Sequence, residues 1–132
     1  MPALLRTLLL GLIASGLAAC STLQPVDTPT IGIPPGSAIS DPQIEQAILS
    51  ALNTYRWHVG QVQPGRVQAD ILVRERHRAA ITIDYNPRDI FIRYRSSQGL
   101  DYQNGKIHRT YNRWVKYLKL EIEHQLNLSP TP

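Results

Sequence analysis

The sequence predicts an α+β domain in two layers. A four-stranded antiparallel meander carries an N-terminal helix and a longer C-terminal helix on one face, in the order α-β-β-β-β-α. Three observations point there. Two segments, near residues 44–55 and 107–126, repeat apolar residues at helical spacing. Between them lie short runs in which apolar and polar residues alternate, separated by turn signals or polar corners. The intervals between these runs are too short for crossover helices, so neighbouring strands are expected to pair antiparallel.

The first helix is expected over about 42–54. Ser40-Asp41-Pro42 supplies a capping side chain followed by a proline that the first turn tolerates. Ile44, Ala47, Ile48, Ala51, Leu52 and Tyr55 then fall on one face. In the strand region Trp57 and Val59 alternate, and Gln63-Pro64-Gly65 turns the chain. Val67, Ala69, Ile71 and Val73 mark the next strand, and Ile81, Ile83 and Tyr85 the one after the polar corner at 75–78. Asn86-Pro87-Arg88-Asp89 reads as a turn, and Ile90, Ile92 and Tyr94 as the last strand. A polar loop over 96–105 is pinned by Leu100 and Tyr102. The final helix is expected from about Lys106 to Leu126, with Ile107, Tyr111, Trp114, Val115, Leu118, Ile122 and Leu126 as its apolar stripe. Both stripes need a surface to cover them, and one face of the sheet serves for both.

The start of the chain reads as targeting. A positive beginning with Arg6 precedes an apolar core from Leu8 to Leu17, too short to span a bilayer as a helix. It ends in Leu17-Ala18-Ala19-Cys20, which resembles the lipobox of bacterial lipoproteins. That resemblance implies cleavage before Cys20, lipidation of its thiol, and a signal peptide over 1–19. Ser21 beside it implies sorting to the outer membrane, with the domain facing the periplasm. Cys20 is the only cysteine, so no intrachain disulfide is available in an oxidising compartment. Residues 20–39 hold Pro25, Pro29, Pro34 and Pro35, and are expected to form a proline-rich tether. One domain over 40–128 and a loose tail over 129–132 complete the organisation.

Charge is unevenly placed. Residues 56–119 hold thirteen of the fourteen Lys and Arg against five of the ten acids, which predicts a basic surface drawn to anionic partners. In the envelope these are lipopolysaccharide, acidic lipid, peptidoglycan carboxylates or an acidic protein. Nucleic acid has the right charge in the wrong compartment.

Two candidate sites follow from the strand pattern. The outward sheet face is expected to carry Arg74, Arg76, Arg93 and Arg95 around Phe91, a set that could bind an anionic, partly apolar ligand. The same residues could equally form solvated pairs with Asp70 and Asp84. The basic face of the last helix, with Arg109, Arg113 and Lys116, has the same two readings. The second site is the edge of a pocket bordered by Ser97, His108 and Asn112. The alternative there is that His108 and Asn112 simply bind the 96–104 loop.

Catalytic motifs are absent from the sequence. His58, His77, His108 and His124 lack close ligand spacing, so no metal site and no cofactor are expected. There is no nucleophile elbow and no phosphate-cradling glycine loop. A hydrolase or isomerase pairing Ser97 with His108 is the distant alternative to a protein without catalytic activity.

A wider resemblance covers about residues 55–120 together with the lipobox. His77, Ala79, Ile81, Ile83 and Tyr85, then Ile92, Tyr94, Ser97, Leu100 and Tyr102, then Ile107-His108, Tyr111-Asn112 and Trp114-Val115 carry it. These residues resemble a family of small uncharacterised proteobacterial lipoproteins, a likeness that implies no activity. The expectation is therefore a membrane-anchored envelope module that binds or scaffolds a protein, or one that binds an anionic envelope molecule through its arginines.

Overall fold

The computed structural model describes residues 22–130. Its elements are β1 (Leu23–Pro25), β2 (Thr30–Gly32), α1 (Asp41–Thr54), β3 (His58–Gln63), β4 (Arg66–Val73), β5 (His77–Tyr85), β6 (Asp89–Gln98), β7 (Lys106–His108) and α2 (Arg109–Gln125). The α+β class holds, but the four-stranded sheet and the α-β-β-β-β-α order do not. The main sheet has five strands in the order β2-β6-β5-β4-β3, and β1 pairs with β7 in a separate two-stranded sheet. Every pairing is antiparallel.

The extra strands come from the stretch expected to be a tether. β2 adds to the free edge of β6, with Ile31 opposite Ile90. Ile31 is 1% exposed and Ile33 is also buried, so this proline-rich segment feeds the core. The prolines are compatible with it because both short strands lie at edges, where a missing N–H breaks no ladder. The domain therefore starts by Leu23, and a tether over 20–39 is corrected. The signal peptide expected over 1–19 and the lipidated Cys20 lie outside the described residues, as do Thr131 and Pro132 of the expected tail.

α1 forms where expected. Ser40 accepts a hydrogen bond from the Gln43 amide, and the Gln43 side chain accepts one from the Ser40 amide, a reciprocal capping box. Ile44, Ala47, Ile48, Ala51 and Leu52 are its buried face. α2 begins three residues later than expected. Ile107 is buried but belongs to β7, opposite Gln24, and His108 caps the helix by accepting from the Thr110 amide. Asn104 and Gly105 both have positive φ between the bridged pair Gln103 and Lys106, so a tight turn ends the loop where the helix was expected to start.

The core lies between the helices and one sheet face. Val67, Ala69, Ile81, Ile83, Ile90 and Ile92 alternate onto that face and meet Ile48, Leu52, Tyr111, Val115, Leu118 and Ile122. α1 packs over β3 and β4, and α2 over β2 and β7. No helix among the described residues lies on the opposite face of the sheet. Among the described residues no helix is long and apolar enough to cross a membrane.

Candidate functional site

The uncovered sheet face is built from the residues that alternate away from the core. Asp70, Thr82, Asp84, Phe91 and Arg93 reach it, with Thr82 directly opposite Arg93 and Asp84 opposite Phe91. Two arginines that the sequence reading passed over, Arg66 and Arg78, join them. Arg66 Nε lies 2.7 Å and Arg93 Nε 3.3 Å from the two oxygens of Asp84, and Arg78 meets Asp70 at 3.3 Å. The Arg93 guanidinium also stacks 4.8 Å from the Phe91 ring centre. Asp84, opposite Arg66 in register, raises the Arg66 guanidinium further above its ordinary value through a direct hydrogen bond.

The expected four-arginine cluster does not assemble. Arg74 and Arg76 sit in the β4–β5 turn, where Arg74 and Glu75 both have positive φ. Arg95 occupies a bulge in β6, between the partners of Ala80 and Ile81. Of the four, Arg93 is the one that stands against Phe91, and a carboxylate already holds it. The turn signal was in the register: a three-residue corner between Val73 and His77 takes Arg74 and Arg76 off the strands.

The pocket-edge residues also separate. His108 lines a cleft of about 290 Å³ with His77, Gly99, Leu100, Asp101 and Thr110. Its backbone amide donates to the Leu100 carbonyl, so the expected contact with the 96–104 loop exists through the main chain. His77 Nδ1 donates to the Gly99 carbonyl at 2.9 Å. Ser97 does not line this cleft; its hydroxyl bonds the Tyr94 hydroxyl at 2.8 Å. Ser97 is thus held by Tyr94, and His108 Nδ1 is occupied by the Thr110 amide. Among the described residues no three His, Cys, Asp or Glu side chains group closely enough to hold a metal ion.

Asn112 has a different role from the one expected. Its carboxamide faces β1 rather than the loop. Nδ2 donates to the Pro25 carbonyl at 3.0 Å and to Gln24 Oε1 at 3.2 Å, and Oδ1 accepts from the Asp27 amide at 3.0 Å. It borders an open trough of about 720 Å³ with Gln24, Pro25, Val26, Asp27, Arg109, Arg113 and Lys116. With residues 20–39 expected to be a tether, the sequence offers this side chain no partner.

No family model and no curated protein matches the chain. The surfaces just described therefore carry the functional argument on their own chemistry.

Proposed function

We propose that the chain is a lipid-anchored protein of the bacterial cell envelope, sorted to the outer membrane. Its domain would serve as a binding or scaffolding module without catalytic activity. One observation carries the reading. The apolar run Leu8–Leu17 closes on Leu17-Ala18-Ala19-Cys20, and the chain enters the folded domain only two residues after that cysteine, at Thr22. Cleavage before Cys20 would thus leave a complete domain with its attachment point at its own surface. Two or more acyl chains there would hold durably, since each buried CH2 contributes about 0.8 kcal/mol. The resemblance to small proteobacterial lipoproteins supports the same reading.

The alternative, an anionic envelope ligand on the arginine face, has less support, because Arg74 and Arg76 lie in a turn and Arg93 is paired with Asp84. An envelope protein docking on the open face is tested by crosslinking from position 91 or 93 in intact cells, which should trap one dominant partner. The anchor is tested by fractionating cells that make the full chain or its Cys20→Ala variant. The wild type should pellet with membranes and the variant should be soluble in the periplasm. A variant still bound to membranes would overturn the reading.

A further inference from the structure

The exposed side of α2 carries a basic stripe that stands outside the core. Arg109, Arg113 and Lys116 follow at one-turn intervals along it, all exposed, and Leu120 continues the line at 38% exposure, with Tyr117 beside it at 42%. The three cations wall the trough against Gln24–Asp27, where Asp27 is the one carboxylate. Asn112 fixes the main chain of that opposite wall, so the trough is a rigid feature rather than a gap between mobile parts.

The place where the chain enters gives this surface a partner. The Arg109 amide donates to the Thr22 carbonyl at 2.9 Å, so residue 22 lies at the first residue of the basic stripe. Two residues of fully extended chain reach at most about 7 Å. A lipid on Cys20 would hold Arg109 within about a Debye length of the headgroups, where salt screens its charge only partly. Basic side chains with neighbouring Leu and Tyr are the chemistry of a surface that lies in a membrane interface.

We propose that the Arg109–Arg113–Lys116 face of α2 rests on the bilayer, with the trough receiving the phosphates of anionic phospholipid. This inference rests on the anchor reading above. The domain is then held flat against its own membrane by a short link and a basic stripe, and its uncovered sheet face is presented in a fixed direction. Each basic residue brought to an anionic surface shifts the docked-to-undocked ratio by roughly fivefold, so three together shift it by about a hundredfold.

The test uses the lipid-bearing protein reconstituted into vesicles of zwitterionic lipid, alone or mixed with anionic phospholipid. A fluorophore is placed on Leu120→Cys, or on Gln63→Cys in the β3–β4 hairpin as the distant control, and a quencher is carried by the lipid. In anionic vesicles the probe at 120 should be quenched several-fold more than the probe at 63. Raised salt should remove the difference, and so should the triple variant Arg109→Glu, Arg113→Glu, Lys116→Glu, with vesicle flotation unchanged. The salt arm needs no substitution in the stripe, so it decides the matter even if the triple variant folds poorly. Flotation with equal quenching at 120 and 63 overturns this inference alone. Failure of the wild type to float overturns the anchor reading, and this inference with it.

Discussion

The Asn112 side chain on α2 holds the main-chain carbonyl of Pro25, a residue 87 positions earlier in the chain. With its other carboxamide atom it accepts from the Asp27 amide. One side chain thus satisfies both polar groups of a segment too short and too proline-rich to make a full ladder. Asn112→Ala should therefore loosen β1 before anything else. Amide exchange at Val26 and Asp27 should speed up markedly while β4 and β5 keep their protection. The global cost should be about 1–2 kcal/mol in urea unfolding. Unchanged exchange at these two amides would show that the clamp is not what holds β1.

Ile31 gives the more severe test of where the domain begins. Buried against the core from an edge strand, it should cost about 2–5 kcal/mol when cut to alanine. A residue in a solvated tether would cost next to nothing. Chemical denaturation of Ile31→Ala beside the wild type separates the two directly.

Tyr111 is fully buried, and its hydroxyl has no hydrogen-bond partner among the described residues. Burial pushes its phenol well above the ordinary tyrosine value, and nearby Tyr94 and Asp27 push it the same way. The folded state thus favours the protonated phenol. The stabilisation is full below the unfolded value of about 10 and is lost as pH climbs from there toward the folded value. Tyr85 is raised too, again chiefly by burial, and adds to the same alkaline loss. Tyr111→Phe should remove part of that loss in thermal melts above the ordinary tyrosine range. At neutral pH it should be neutral or stabilising by about 1 kcal/mol, because an unsatisfied buried hydroxyl is a cost. A variant clearly less stable at neutral pH would mean that the hydroxyl does have a partner.

Gly99 closes β6 with positive φ, and a Cβ there would run into the Arg76 carbonyl of the β4–β5 turn. Both the backbone conformation and the close approach require glycine. Gly99→Ala should cost at least about 2 kcal/mol and should disturb the His77 ring that donates to the Gly99 carbonyl. The His77 imidazole resonances in an NMR spectrum report the second effect. No change in them, with normal stability, would remove Gly99 from the support of the His108 cleft.

The parts of the fold with strong local pattern were legible in the sequence. Ser40 and the Ile44–Leu52 stripe defined α1, and the alternation of Val67 to Val73 and Ile81 to Tyr85 defined two central strands. The parts that depend on distant pairing were not. Ile31 and Ile33 do alternate, but four prolines around them outweigh two residues in any local reading. Ile107 fits the helical phase of Tyr111 and Val115, and only its pairing with Gln24 makes it a strand. Asn104-Gly105 did carry a hairpin signal that would have moved the helix start. The site was less legible still. Alternation placed Arg93 and Phe91 on one face correctly, but the corner at 74–76 takes Arg74 and Arg76 off the strands, and the bulge at Arg95 interrupts the alternation.

The β1–β7 pairing has a consequence for how the protein is made. Thr22 to Pro25 leave the ribosome well before Lys106 to Asn112, which receive them. The long loop this pairing closes costs entropy that only late contacts repay. The domain cannot close around a partial chain. Until Lys106–His108 is present the strand Leu23–Pro25 has no edge to pair with, while β4, β5 and β6 already have theirs.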